Sequence, residues 1–164
     1  GKSTRRAFSF VLFLNDLDES EGGTLRLFPP LTQDQQLLRA YGFNFTMQRY
    51  PIRNIKPKAG RFVVFRSEAV IHEVTENFAD RWVLVGWLHR PIGPSYEKDD
   101  LQDDCIGQGG LSVRRLTHTE LGELDTNDMM VVEDFVSPDT VIALKNDHMA
   151  LRAAGEGVSS SLKE

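Results

Sequence analysis

KAGRFVVFRSEAVIHEVTENFADRWVLVGWLHRP, residues 58–91, carries two apolar runs, 62–65 and 82–88. Both are short, rich in valine and aromatic residues, and bounded by polar residues, glycine or proline, which predicts buried strands. Between the runs stands His72; nine positions further on, Arg81 opens the second run. A guanidinium at the head of an apolar strand is costly to bury unless an anion meets it. A neutral imidazole on a strand is a good ligand for a first-row metal. A metal donor and an anion clamp on consecutive strands predict a site for a metal and a carboxylate-bearing small molecule.

Outward from this stretch, short strands and turns continue on the upstream side. Residues 1–6, GKSTRR, read as a solvated basic loop. In 8–14, Phe8, Phe10, Leu12 and Leu14 take one parity and Ser9, Val11 and Phe13 the other, so both faces of this strand can be buried. Residues 15–23 form an acidic hairpin loop without the spacing of a calcium loop, and Gly22-Gly23 tolerates unusual backbone angles. A strand over 24–28 stops at Pro29-Pro30. About two helical turns are predicted over 33–40, a strand over 52–55 and a turn over 56–60. Phe43, Phe45 and Tyr50 suit either a lid over a site or ordinary core, and core is the expectation.

Downstream the pattern changes. Residues 92–128 lack a strong period and read as a linker with at most short elements. Residues 129–135 read as a strand. Ser137 is a good N-cap, Pro138 and Asp139 suit a first helical turn, and a helix is predicted to about residue 154, with Gly155 as its stop. Its apolar stripe is Val141, Leu144, His148 and Leu151.

Composition sets the outer bounds. The 164 residues suit one domain and little more, and the net charge of −5 gives no indication of nucleic-acid binding. No apolar run approaches the roughly 18 to 20 residues of a membrane span, so no membrane partner is expected. Cys105 is the single cysteine, which excludes an internal disulfide; a cytoplasmic or nuclear setting is the expectation. The oligomeric state is not legible. Because the sequence opens on Gly1 and almost at once on a strand, a piece of a longer protein is expected.

Several motifs in order resemble a known family. Residues 57–61 (PKAGR), the apolar strand after them, His72-Glu73-Val74, Arg81 and Trp87 are preceded by FSFVLFLN at 8–15 and EGGTLRLFP at 21–29. Over about residues 5–91 this resembles the C-terminal half of the iron(II)/2-oxoglutarate dioxygenases of the prolyl 4-hydroxylase type. The resemblance implies a mainly β fold, a double-stranded β-helix of the jelly-roll or cupin-like kind, incomplete at its N-terminal side and followed by a C-terminal strand-helix segment. It divides the chain into residues 1–91, the C-terminal part of the jelly-roll; 92–128, a linker; and 129–164, the strand-helix segment. VVEDFVSPDTVIALKND, 131–147, is itself similar to the opening of a domain of the same family.

The resemblance also implies the parts of a site. His72 takes the place of the distal histidine of an iron-binding triad, with no side chain of this chain assigned as catalytic. The other two metal ligands belong to an HxD motif, absent from this sequence and expected at or just before residue 1; the isolated chain is therefore expected to be inactive. Arg81 would hold the distal carboxylate of 2-oxoglutarate by a bidentate contact, the alternative being a structural ion pair with Glu73 or Glu76. Phe13, Leu25, Val74 and Trp87 would wall the pocket, and each is also an ordinary core residue. Phe13 stands where many relatives have a tyrosine hydroxyl. The implied cofactors are Fe(II), 2-oxoglutarate and ascorbate, and the implied substrate is a peptide or protein of the prolyl type, hydroxylated as 2-oxoglutarate is decarboxylated to succinate. His118-Thr119-Glu120 is an HxE that reads as chance, His89 as a strand end and His148 as packing. Two other readings stay open: a degenerate, non-catalytic jelly-roll acting as a binding or scaffolding module, and a cupin-like domain binding a sugar or small acid.

Overall fold

The computed structural model describes residues 4–42, 51–91 and 114–154. In chain order these form β1 (Thr4–Phe13), β2 (Leu25–Leu27), α1 (Gln33–Ala40), β3 (Arg53–Ile55), β4 (Phe62–Arg66), β5 (His72–Val74), β6 (Val83–Pro91), α2 (His118–Asn127), β7 (Met129–Val132) and α3 (Pro138–Ala153). Phe43, Phe45 and Tyr50, expected in the core, lie outside the described residues, as does Gly155.

The strands make two antiparallel sheets, ordered β6-β1-β4-β7 and β3-β2-β5. β1 is central to the first: Phe10 lies opposite Val64 on one side and Gly86 on the other. In the second, Leu25 lies between Ile55 and Val74. The period-2 pattern of β1 explains how the sheets meet. Val11 and Phe13 point into the gap and pack with Leu25, Leu27 and Ile55 of the other sheet and with Val63, Phe65, Val70 and Met129. This shared core makes the molecule a mainly β sandwich with three helices, compatible with a jelly-roll. Among the described residues, β6 and β5 each end their sheet with one unpaired edge.

The other parity of β1 is buried too. Phe8 and Phe10 join Val64, Met130 and Val132 under Leu116, Leu124 and Phe135. Leu12 and Leu14 join Val136 and Val141, with Trp82 and Leu144 packed against them. This outer layer comes from residues 114–154, which corrects two expectations. Part of the predicted linker is helix: α2 has Thr117 as N-cap, with Glu120 closing a capping box. The strand-helix segment is not a separate unit either. β7 pairs with β4 from Phe62↔Val132 to Phe65↔Met129, and Met129 enters the central core. The physical reason is that the edge of β4 and the apolar outer face of β1 would otherwise meet water.

Smaller differences are local. β1 begins at Thr4, so part of the predicted basic loop is strand. β7 ends at Val132, where a turn with Asp134 at φ 49° breaks the predicted run. Ser137 caps α3 as read, its Oγ accepting from the Thr140 N–H at 3.2 Å. Of the predicted stripe, Val141 is buried and Leu144 packs, but Leu151 is exposed. The acidic loop does not close the expected hairpin, because β1 and β2 lie in different sheets; it carries the chain from one sheet to the other, and within it the Asp18 carboxylate accepts from the N–H groups of Ser20 and Glu21. Gly22, at φ 75°, docks this loop on residues 75–80; a Cβ there would lie 2.0 Å from the Glu76 carbonyl oxygen.

Candidate functional site

His72 opens β5, opposite Leu27. One face of its ring lies on Phe65, with centroids 4.6 Å apart, while the side chain is open to solvent at the strand's free edge. Its Nδ1 is 3.5 Å from the Val70 carbonyl oxygen, a long contact. A proton on Nδ1 suits that carbonyl and leaves the Nε2 lone pair free. Burial against Phe65, the largest effect, lowers the imidazole pKa, and the nearby positive charge of Arg39 lowers it further. Desolvation and Arg39 thus favour the neutral ring, the form that binds a metal, against the opposing pull of the Val70 carbonyl. Val74 shares the strand face of His72 and is 44% exposed, opposite the buried Leu25.

Arg81 sits just before β6 and is half-buried. Its Nε donates to the Gly23 carbonyl at 3.2 Å, and its guanidinium carbon stands 5.3 Å from the centre of the Phe13 ring. Among the described residues no carboxylate pairs with it. Glu73, one of the two expected alternatives, pairs with Arg26 at 3.2 Å. Burial depresses the guanidinium pKa, which reports desolvation without a compensating anion. It stays charged at any ordinary pH.

Three expected wall residues fall into different places. Phe13, fully buried, lies under Arg81, and Leu25 belongs to the same core. Trp87 is six residues along the chain from Arg81, up to about 20 Å in an extended strand. Its ring is half-exposed and is covered by the Arg6 guanidinium at 4.2 Å. Trp87 therefore belongs to the far end of β6 from Arg81. The HxE at 118–120 is the opening of α2: Glu120 closes the cap and takes two contacts from Arg114, one of them at 3.0 Å. His148 packs edge-on against Trp82 at 5.5 Å.

Two residues missed by the sequence reading position Arg81. Asn15 spans it: Nδ2 donates to the Asp80 carbonyl at 2.8 Å, and Oδ1 accepts from the Trp82 N–H at 2.7 Å. Gly23 leaves room for the arginine stem; a Cβ there would lie 3.1 Å from the Arg81 Cδ. An asparagine directly after an apolar strand and a glycine pair were the available signals, both absorbed by the hairpin reading.

Among the described residues no group of three or more His, Cys, Asp or Glu side chains is placed to hold a metal ion. His72 is one donor, short of a complete metal site, whereas Arg81 has the unpaired, desolvated fork that suits a carboxylate. No curated protein and no solved structure gives a match. A family model does: the 2OG-Fe(II) oxygenase superfamily, over residues 1–89, more than half of the 164. The mainly β sandwich is compatible with that match, and the chain belongs to the 2OG-Fe(II) oxygenase superfamily.

Proposed function

We propose that this chain is part of a prolyl 4-hydroxylase-type enzyme, in which Arg81 holds the distal carboxylate of 2-oxoglutarate and His72 is one of the ligands of Fe(II). The observation that carries the reading is the Arg81 guanidinium, half-buried and without a carboxylate partner among the described residues. Bound 2-oxoglutarate and Fe(II), which the family implies, supply the oxidising chemistry. The chain's own residues bind and orient. Asn15 and Gly23 aim the guanidinium, Phe13 gives it an apolar floor, and the neutral imidazole of His72 presents a lone pair.

The described residues do not by themselves make up an iron site. In this proposal the two further donors belong to an HxD segment preceding Gly1, and ascorbate maintains the enzyme. The substrate is a peptidyl proline, a choice that rests on the family resemblance over about residues 5–91 alone. A second reading, a degenerate jelly-roll that binds a partner without turnover, draws on the same single donor.

The test is succinate formation by the chain joined to its upstream sequence, with Fe(II), ascorbate, 2-oxoglutarate and a proline-containing peptide. Turnover with the peptide is expected, and none by residues 1–164 alone. Arg81→Lys keeps the charge and loses the fork; it should weaken apparent 2-oxoglutarate affinity about ten- to a hundred-fold, about 1.5 to 3 kcal/mol. An unchanged 2-oxoglutarate titration removes Arg81 from the site. Succinate formation that no proline peptide accelerates removes the prolyl assignment, and an upstream sequence without an HxD favours the degenerate module.

A further inference from the structure

Gln33, Gln36, Leu37 and Ala40 recur at helical spacing, so they share one face of α1. That face lines an open cavity of about 740 Å³, whose other wall is Ser67 and Glu68 in the connection from β4 to β5. Glu68 also lines a second cavity, of about 350 Å³, between Arg66, the start of β1 at Arg6 and the end of β6 at His89. The two cavities adjoin at Glu68, on the connection that ends at His72. α1 buries none of its residues, and Leu37 is 63% exposed. A helix this short is marginal in water on its own. It is fixed from its start instead: Thr32 and Gln35 close a capping box, and Gln36 Nε2 donates to the Leu31 carbonyl at 3.0 Å. Leu31 in turn packs with Phe28 and Ile71. The face of α1 on the cavity is thus held in place without being used by the core.

Arg39 stands at the α1 end of this groove and Arg6 at the β1 end. Among the described residues neither pairs with a carboxylate; the ion pairs formed lie at Arg26, Lys56, Lys58, Arg61, Arg66 and Arg114. A bulge aims Arg6, because the register of β1 against β6 shifts between Arg6 and Phe8. Its guanidinium carbon stands 4.2 Å from the centre of the Trp87 ring. Stacking holds the planar guanidinium by its face and leaves the N–H groups at its edge to donate. The register also places Arg5 opposite Arg90, so the basic character of this end extends along both strands. Arg66 is offset by Asp128, and Glu68 is the one carboxylate that lines the two cavities among the described residues. In a chain of net charge −5, the groove carries an excess of positive charge.

We propose that this groove, from Arg39 on α1 to Arg6 on β1, docks an acidic, extended segment of a polypeptide substrate. Carboxylates of the segment meet the two unpaired guanidinium groups, the amides of Gln33 and Gln36 bond to its backbone, and Leu37 and Leu88 give apolar contact. A nucleic acid would meet the same arginines, but its phosphates would be repelled by the net negative charge of the rest of the chain. The identity of the occupant rests on the peptidyl-substrate reading above. Its binding is read without iron, 2-oxoglutarate or turnover, so the two can fail separately.

The experiment follows fluorescence anisotropy of labelled peptides with the 164-residue chain at low ionic strength. Proline-containing peptides of equal length carry glutamate, glutamine or lysine on both sides of the proline. The glutamate peptide should bind about ten-fold more tightly than the glutamine peptide, with an affinity that falls as salt is added. Arg6→Gln/Arg39→Gln should remove that advantage. Arg26→Gln/Lys56→Gln, which takes the same charge from elsewhere, should change it less than about two-fold. Arg6→Glu/Arg39→Glu should turn the preference towards the lysine peptide, a gain that an unfolded chain does not show. Glutamate-peptide binding beside a failed turnover test keeps the groove and removes the reaction. Equal binding of the glutamate and glutamine peptides by the wild type, equal loss in both glutamine pairs, or a single-stranded oligonucleotide bound as tightly as the glutamate peptide overturns the proposal.

Discussion

Asn15 ties the backbone on both sides of Arg81, to the Asp80 carbonyl and the Trp82 N–H. Asn15→Ala leaves the part-buried Trp82 N–H unpaired and returns the exposed Asp80 carbonyl to water, and should destabilise the fold by about 1 kcal/mol. It should also weaken 2-oxoglutarate binding, because the guanidinium loses its aim. Asn15→Asp keeps the acceptor for Trp82 and loses the donor to Asp80, so it should fall between. Urea melts and 2-oxoglutarate titrations of the three proteins measure this, and equal stability in all of them would show that the clamp contributes nothing. Arg81 itself was legible as a costly cation in an apolar setting. Its partners were not, because Asn15 and Gly23 are 66 and 58 residues away in sequence and neither residue type announces a tertiary hydrogen bond.

The helices show how far local rules reach. Ser137, Pro138 and Asp139 announce α3, because a capping hydroxyl, a preset φ and a carboxylate at the positive helix end act within one turn. The same rules act at Thr117 and Glu120, but those residues fell inside a stretch read as linker, since α2 has a weak apolar period and is docked by Leu124 with Leu116 just before it. Glu120 makes α2 sensitive to acid. The Arg114 guanidinium, first, and the Thr117 N–H lower its pKa from the usual 4.5 to about 2. A depressed folded-state pKa contributes stability that is present above the unfolded value and is lost as pH falls through the folded one. α2 should therefore loosen between about pH 4.5 and 2. Amide exchange of α2 across that range should accelerate in the wild type, and the pH step should vanish in Glu120→Gln. A step of the same size in Glu120→Gln would assign the acid sensitivity to another carboxylate.

At the scale of the molecule, residues 114–154 complete what residues 4–91 begin. Met129, Met130, Val132, Val136 and Val141 are all buried by the docking of this segment. At about 1.5 to 3 kcal/mol for each buried side chain, their burial contributes on the order of 10 kcal/mol, comparable with the roughly 5 to 15 kcal/mol net stability of a domain. A chain ending at residue 113 should lose cooperative unfolding and expose the outer face of β1 and β4. Circular dichroism melts and dye binding to apolar surface test this, and a cooperative melt within a few degrees of the full chain would show that the segment is dispensable. The sequence by itself determined what depends on neighbours a few residues away: the two-faced alternation of β1, the helix caps, and the order of motifs from Phe8 to Trp87 that carries the family. Only the tertiary structure decided that β7 closes the edge of β4 and that α2 and α3 cover the outer sheet face. An unpaired strand edge or an apolar face specifies that something must cover it, while which segment does so depends on contacts between residues far apart in the chain, and no local period encodes that choice.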